Sequence, residues 1–390
     1  MSWLTGDDPG FGVGHLPYGV FSTPGSPPRV GVRVHGHVLD LAPALQEPVF
    51  AAPALNPFLA QDRPFWDRTR ERLTDLLTTP GRADAARPHL YPLADVTLHL
   101  PFEVADYVDF YASLEHASNL GRMFRPDEEP LKPNWRHLPV GYHGRSGSVV
   151  VAGTPVVRPR GQLPGGPVFA PTGKLDIEAE LGFVVGAPST PGVPVPPSAF
   201  ADHVFGVVLL NDWSARDIQA WEYVPLGPFL GKSFATSVAA WVTPLAALEG
   251  ARVPGRRQEP EPLPHLTRAQ PWGLDITIGV LLNGEPVSRP PYAQMYWTPD
   301  QMLAHLTSNG AAVRTGDLFG SGTVSGPAPD TRGSFIELTV NGAEPLKLAD
   351  GSTRTFLADG DVVTLTGTAP GPDGLPIRLA PVDGRILPST

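Results

Sequence analysis

The residues of this chain best suited to chemistry lie in three stretches. The first is Leu175-Asp-Ile-Glu178-Ala-Glu180-Leu-Gly-Phe-Val-Val185. It reads as a strand, and residues two apart on a strand share a face, so Glu178 and Glu180 point the same way. Like charges side by side repel unless something positive joins them. An isolated pair of this kind usually marks a solvated strand face, but Leu-Gly-Phe-Val-Val has the texture of a central core strand.

The second stretch is Leu210-Asn-Asp212-Trp-Ser-Ala-Arg216-Asp-Ile-Gln219-Ala-Trp-Glu-Tyr223-Val-Pro225. A buried strand ending at Leu210 and a short helix before Pro225 are predicted. On a helical wheel Asp212, Arg216, Gln219 and Tyr223 fall on one face, which would present an acid, a guanidinium, an amide and a phenol together. The bland alternative is a surface Asp–Arg pair with polar neighbours. Trp213 and Trp221 argue against a freely solvated element.

The third is Asp106-Tyr-Val-Asp109-Phe-Tyr111-Ala-Ser-Leu-Glu-His116-Ala-Ser-Asn-Leu-Gly121. If helical, it sets Asp109 and His116 two turns apart on one face. A lone His is more often structural, yet His is the side chain best suited to base work near neutral pH. Asp109, Glu178, Glu180 and Asp212 would be four carboxylates in a chain without Cys. Such hard oxygen ligands select a divalent cation, Ca2+ or Mg2+ with Mn2+ as a further candidate, over zinc. Spacing does not show that the four converge.

Other patterns carry less. Gly227-Pro-Phe-Leu-Gly231-Lys232-Ser233 is one residue short of a phosphate loop, and Pro228 lacks an N–H to hold phosphate. Gly320-x-Gly322-x-x-x-Gly326 misses the dinucleotide spacing. His35-x-His37 reads as a neutral strand pair. No G-x-S-x-G elbow and no H-E-x-x-H occurs.

These side chains need a framework rich in strands and loops. The 390 residues include 48 Pro and 42 Gly, nearly a quarter of the chain, which disfavours long helices. With 41 % hydrophobic residues and 8 Trp a core can still be buried. Strands are predicted over Ser148–Val151, Ile177–Val185, Val204–Leu210, Leu274–Leu282, Gly333–Val340 and Val362–Thr366, and one over Val30–Leu41. Asn283-Gly284, Asn341-Gly342 and Asp359-Gly360 supply the turns. Residues 64–78 suggest a charged amphipathic helix. Thr298, Pro299 and Gln301 form a helix start with a capping box, and Gly310 follows its end. Residues 251–272, dense in Pro, look like an exposed insertion. The texture changes near residue 100, giving a small N-terminal module (1–100) and a larger C-terminal catalytic domain (101–390).

Net charge is −10, and the basic residues are nearly all Arg. This makes a poor nucleic-acid binder. No segment is long and apolar enough for a membrane span, and the acids after Met1 do not suit an export signal. The absence of Cys excludes disulfides and thiolate chemistry and fits a reducing compartment such as the cytoplasm.

Several blocks resemble one family. They are Asp109-Phe-Tyr111 with His116, Pro133-Asn-Trp-Arg-His-Leu-Pro-Val-Gly-Tyr142-His-Gly-Arg145, Asp176-Ile-Glu178-Ala-Glu180, Asn211–Gln219 and Trp221–Ser233. Met295–Thr298, Ser321–Gly326 and Thr353–Leu357 match as well. The chain is similar along its whole length to the fumarylacetoacetase branch of the fumarylacetoacetate hydrolase family, least so over 1–100 and 251–272. The resemblance implies a mainly β, β-rich α+β fold: a small N-terminal β-barrel followed by a large C-terminal mixed β-sandwich roll, assembled as a homodimer. It implies Asp109, Glu178, Glu180 and Asp212 as metal ligands, with Lys232 and Thr236 in the metal neighbourhood. Ala235 stands where Gly is usual. It further implies His116 as general base oriented by Glu337. Arg216, Gln219 and Lys232 would stabilise the oxyanion, and Tyr111, Arg125, Tyr142, Gln219, Tyr223 and Thr323 would hold a small-molecule substrate.

The residue types suit hydrolysis of a carbon–carbon bond in a β-diketone. That reaction needs an activated water, donors for a tetrahedral alkoxide and a Lewis acid for the departing enolate. On this reading fumarylacetoacetate and water give fumarate and acetoacetate, the last step of tyrosine and phenylalanine degradation. Two rivals stay open at this point. One is an acylpyruvate hydrolase or oxaloacetate decarboxylase of the wider family, and the other is a non-catalytic metal-binding protein.

Overall fold

The computed structural model describes residues 8–166, 168–372 and 374–390. Of the opening stretch whose acids argued against an export signal, residues 1–7, including Asp7, lie outside the described residues. No described helix is long and apolar enough to cross a membrane.

The continuous apolar runs predicted as strands form the middle of one thirteen-stranded sheet. Its path runs Leu90–Pro92, His37–Asp40, Arg29–Val34, Tyr18–Ser22, Trp241–Pro244, Val204–Asp212, Ala179–Val185, Leu318–Gly320, Tyr107–Phe110 and Gly141–His143. Thr97–His99 joins Tyr18–Ser22. Thr236–Val238 joins Val204–Asp212 and carries Val149–Val151 in parallel. Every residue of Ala179–Val185 and Val204–Asp212 is buried, as expected of strands covered on both faces. A second sheet of five strands packs as a separate layer, and its strand Val362–Pro370 alternates buried and exposed residues. Asn283 (φ 52°) and Gly284 (φ 84°) make the left-handed two-residue turn of its hairpin Thr277–Leu282/Glu285–Ser288.

The mixed, sheet-rich α+β expectation is therefore met. Helices sit at the sheet margins. Arg63–Thr78 starts at Asp62, whose side chain accepts from the Phe65 N–H, and buries Trp66, Thr69, Leu73 and Leu77 along one stripe. Pro299–Thr307 carries the predicted capping box of Thr298 and Gln301. Among the described residues the pairings of the N-terminal part close no barrel. Tyr18–Ser22 gives one edge to Arg29–Val34 and shares the other between Trp241–Pro244 and Thr97–His99, so the sheet runs on into the catalytic part.

Several local expectations are corrected. Val30–Leu41 is not one strand: His35 (φ 50°) turns Arg29–Val34 back onto His37–Asp40. Residues Asp106–Gly121 are not one helix. Tyr107–Phe110 is a strand beside Leu318–Gly320, and a helix begins only at Leu114, where Ser113 Oγ accepts from the His116 N–H. Asp212 belongs to the end of its strand, and the helix is Arg216–Glu222. Gly333–Val340 holds no strand but the short helix Phe335–Leu338. Phe335, Ile336 and Glu337 are all buried in succession, which a half-buried strand would not allow. The Asp176 carboxylate, accepting from the Phe335 and Ile336 N–H groups, favours the helical turn. The 251–272 segment is pinned at both ends, by pairing of Arg252–Val253 with Gly273–Leu274 and by burial of Leu266 and Trp272.

Candidate active site

Neighbouring strand ends bring the acids together. Glu180 lies opposite Leu210 and Gly182 opposite Gly320; Gly320 pairs with Asp109, and Asp109 with Tyr142. Asp212 ends the strand on the other side, and Glu178 enters just before Ala179–Val185 begins. One oxygen from each of Asp109, Glu178, Glu180 and Asp212 lies within 4.8 Å of the others, and all four residues are buried.

Their surroundings are unequal. Burial and the nearby Asp212 charge push the Asp109 carboxyl well up, with Lys232 opposing. Burial, then Asp109 and Glu178, do the same to Glu180. Burial would also raise Glu178, but Lys232 and Arg216 outweigh it and hold that carboxyl well below the usual carboxylate range. Lys232 Nζ donates to Glu178 and, at 2.6 Å, to Asp212 Oδ2; these acids outweigh burial and keep it an ammonium. Tyr142 Oη donates toward Asp212 Oδ2 (2.9 Å) and Asp109 Oδ2 (3.1 Å), and Thr236 Oγ1 reaches Asp212 Oδ1 at 3.3 Å.

Asp109 Oδ1 and Glu180 Oε1 are buried without any hydrogen-bond partner. Gly320 leaves the space between these two acids: a Cβ there would stand 2.7 Å from Asp109 Oδ1 and 2.8 Å from Glu180 Oε2. Hard oxygens left without donors on the two acids beside this gap fit a small divalent cation.

Beside the acids stands a histidine–carboxylate pair. His116 Nδ1 lies 2.7 Å from Glu337 Oε2. Glu337 is buried and otherwise receives donors, Asn119 Nδ2 at 2.9 Å and the Ser325 and Ser334 hydroxyls at 2.8 Å each. Burial would raise its carboxyl, yet His116 and these bonds keep it low. A carboxylate accepting from Nδ1–H leaves Nε2 with the lone pair. That nitrogen stands 3.6 Å from Glu178 Oε1.

Both groups border a cavity of about 420 Å³. Helix Arg216–Glu222 turns Arg216 and Gln219 toward it, and Tyr223 follows. Arg216 Nη1 bonds Glu178 Oε1 (2.7 Å) and Gln219 Oε1 (3.2 Å), while its buried Nη2 has no partner. Arg125 Nε and Thr323 Oγ1 line the same cavity, buried and equally without partners. Tyr111 stands edge-on to the His116 ring at 5.3 Å between centroids. Glu180, Asp212, Glu337 and Thr236 lie behind the wall and not on it. Lys232, the lysine of the near-phosphate-loop pattern, turns into the acids.

The sequence reading assigned no role to Asp176, Asn119, Ser325 or Ser334, which hold the site from outside. Asp176 carried a signal, since it continues the alternation of Glu178 and Glu180 toward the N-terminus. Asn119 did as well, being three residues, one helical turn, after His116. The apolar side of the cavity, from Leu120, Phe124, Leu131 and Trp135, had no signal separable from core.

Comparison with known proteins places this geometry. Residues 106–377 match the fumarylacetoacetate (FAA) hydrolase C-terminal family and residues 14–101 the fumarylacetoacetase N-terminal family. The chain is similar to the fumarylacetoacetase of Homo sapiens, with 45 % identity covering 100 % of this chain and 99 % of that one. It is similar also to that of Arabidopsis thaliana, with 43 % identity over 98 % and 97 %. Among solved structures, a fumarylacetoacetate hydrolase from Exiguobacterium antarcticum shares the fold with a TM-score of 0.58 at 18 % identity, covering 96 % of this chain and 99 % of that one. A maleylpyruvate hydrolase from Sphingobium does so at 0.51 and 15 %, covering 96 % and 100 %.

Proposed function

The chain belongs to the fumarylacetoacetase family, and from that premise we propose how its residues hydrolyse fumarylacetoacetate to fumarate and acetoacetate. What carries the reading is His116, oriented by Glu337 and standing beside the acid cluster at the wall of one cavity. His116 Nε2 takes a proton from water as the water oxygen bonds to the carbonyl carbon, and Glu337 stabilises the imidazolium. The free Arg216 Nη2, with Gln219 and Lys232, meets the oxygen that becomes an alkoxide. When the carbon–carbon bond breaks, its electron pair passes to the acetoacetate fragment as an enolate, and His116 returns the proton. A divalent cation held by Asp109, Glu178, Glu180 and Asp212 supplies Lewis acidity to the diketone oxygens and their enolate.

Ca2+ and Mg2+ both suit four carboxylates, with Mn2+ a further candidate. Lys232 and Thr236 join the metal neighbourhood through their bonds to Asp212, since an ammonium has no lone pair to offer a metal. Arg125 and Thr323, with unpaired donors, receive a substrate carboxylate, and Tyr111, Tyr142, Gln219 and Tyr223 complete the walls.

A small strand-rich N-terminal module over 1–100 ahead of a β-rich catalytic domain over 101–390 is the architectural part of this proposal. The family boundaries at 101 and 106 support the division. A homodimer and a cytoplasmic location belong to it too. Exposed Trp221, Val224, Leu226, Phe229 and Leu230, with Val168 and Phe169 on the adjoining hairpin, support the dimer as an apolar surface for a second copy. The absence of cysteine suits a reducing compartment.

The test is the loss of fumarylacetoacetate absorbance, followed with added divalent cation and with chelator. Turnover that needs the cation supports the reading, and no turnover with any of the three cations ends it. Acylpyruvate and oxaloacetate in parallel assays separate the wider-family reading, which predicts faster turnover of those substrates.

A further inference from the structure

Asp176 is the first acid of the Asp-Ile-Glu-Ala-Glu stretch; it lies in the short strand Leu175–Asp176 and is not one of the four clustered acids. Its residue is wholly buried, and both carboxylate oxygens are saturated. Oδ2 accepts from Arg216 Nε at 2.8 Å and from the Ile336 N–H at 3.0 Å. Oδ1 accepts from the Phe335 N–H at 2.7 Å and the Ile177 N–H at 2.8 Å. The backbone pairs Asp176 with Ser214, two residues before Arg216, so one short ladder sets donor and acceptor side by side.

Two groups assigned separate tasks thus meet on one carboxylate. Arg216 is clamped along Nε by Asp176 and along Nη1 by Glu178, which leaves only Nη2 to point at the reacting oxygen. The turn whose N–H groups Asp176 holds carries Glu337, the residue that fixes the His116 ring. We propose that Asp176 is a positioning residue that locks the oxyanion guanidinium and the base-orienting carboxylate into one fixed spacing. A charged acceptor is required, because cation and backbone donors converge on it and an amide can accept on only one of its two atoms. It neither lines the cavity nor belongs to the acid cluster. The inference rests on the proposed roles of Arg216 and Glu337.

The experiment compares Asp176→Asn, Arg216→Gln and the double variant with the parent, measuring kcat, KM, thermal midpoint and calorimetric metal affinity. Loss of one oxyanion donor costs about 10²–10³-fold in kcat. A fall of that order is expected for Asp176→Asn, with KM and metal affinity within a few-fold of the parent. In the Arg216→Gln background the same change costs less, because only the part that passes through the turn of Glu337 remains. Parental kcat in Asp176→Asn, or losses that multiply in the double variant, overturns the inference. Parental kcat in Arg216→Gln instead overturns the oxyanion assignment beneath it. If Asp176→Asn cannot be recovered folded, Asp176→Ser takes its place. Failure of both overturns the positioning role, since the residue then serves stability alone.

Discussion

His116 and Glu337, 221 residues apart in the chain, are joined by a 2.7 Å hydrogen bond in the interior. The bond fixes which ring nitrogen keeps its lone pair, and Asn119, Ser325 and Ser334 keep the carboxylate from turning away. Replacing Glu337 by Gln keeps the shape but lets an amide N–H face the ring and favour the wrong tautomer. Glu337→Gln is expected to lower kcat by about 10²–10⁴-fold, as loss of an oriented base does, while calorimetric metal affinity stays near the parent's. Steady-state assays at saturating cation check this, and a loss below about three-fold would exclude the pair as the base.

The metal-free cluster holds more protons than free carboxyls would. Burial and mutual repulsion raise Asp109 and Glu180, and a bound cation reverses both effects. Cation binding is therefore expected to release protons, and apparent affinity is expected to fall as pH falls. Calorimetry in buffers of different ionisation enthalpy reads the released protons directly. An affinity flat between pH 5 and pH 8, with no proton release, would contradict the assignment. Glu180→Gln and Asp212→Asn should each weaken binding by at least ten-fold.

Gly320 gives a steric test of the same gap. A Cβ there would intrude to 2.7 Å from Asp109 Oδ1 and 2.8 Å from Glu180 Oε2, the two acids with orphaned oxygens. Gly320 lies in extended strand, so Ala fits the backbone and the conflict is with the acids alone. Gly320→Ala is expected to weaken cation affinity more than ten-fold with a thermal midpoint within a few degrees of the parent's. A variant that binds cation like the parent would show that the cation sits elsewhere.

What the sequence revealed of this site follows from how each residue is held. Glu178 and Glu180 were legible as a pair because strand alternation is local. Arg216, Gln219 and Tyr223 were legible because one helix face is local too. Helical spacing would set Asp109 and His116 on one face, but Asp109 is on a strand and His116 on the next element. Asp109 reaches the other acids through the parallel pairing of Tyr107–Phe110 with Leu318–Gly320, which no local pattern encodes. Glu337 was placed through family likeness while its segment read as a strand. Phe335 and Ile336 follow the helical turn because Asp176, some 160 residues earlier, accepts their N–H groups. A tertiary acceptor overrides local alternation there, as it commonly does for short elements. Proline and glycine mark many of the turns, but Gly182, Gly206 and Gly320 lie within buried strands, and their spacing did not show it.

Far from the cavity, His15 ties the N-terminal part to strand Trp241–Pro244. It is wholly buried, with Nδ1 3.1 Å from the Gly10 carbonyl oxygen and Nε2 2.9 Å from Thr243 Oγ1. Burial chiefly, then the positive Arg70 and Arg33, push its pKa from 6.5 down to about 3, against the Gly10 bond. The neutral ring is the folded form, while the unfolded chain takes up a proton below about pH 6.5. His15 therefore contributes stability that is present above that pH and is lost as pH falls toward about 3. The loss amounts to about 1.4 kcal/mol per pH unit inside that window. Denaturant unfolding of the parent should thus weaken steadily from pH 6.5 to pH 4. His15→Gln, which retains a donor and an acceptor but cannot take up the proton, should be less stable at pH 7 and show a slope shallower by about one proton. Equal slopes in parent and variant would mean that the ring is already charged in the folded protein, the Gly10 bond then outweighing burial.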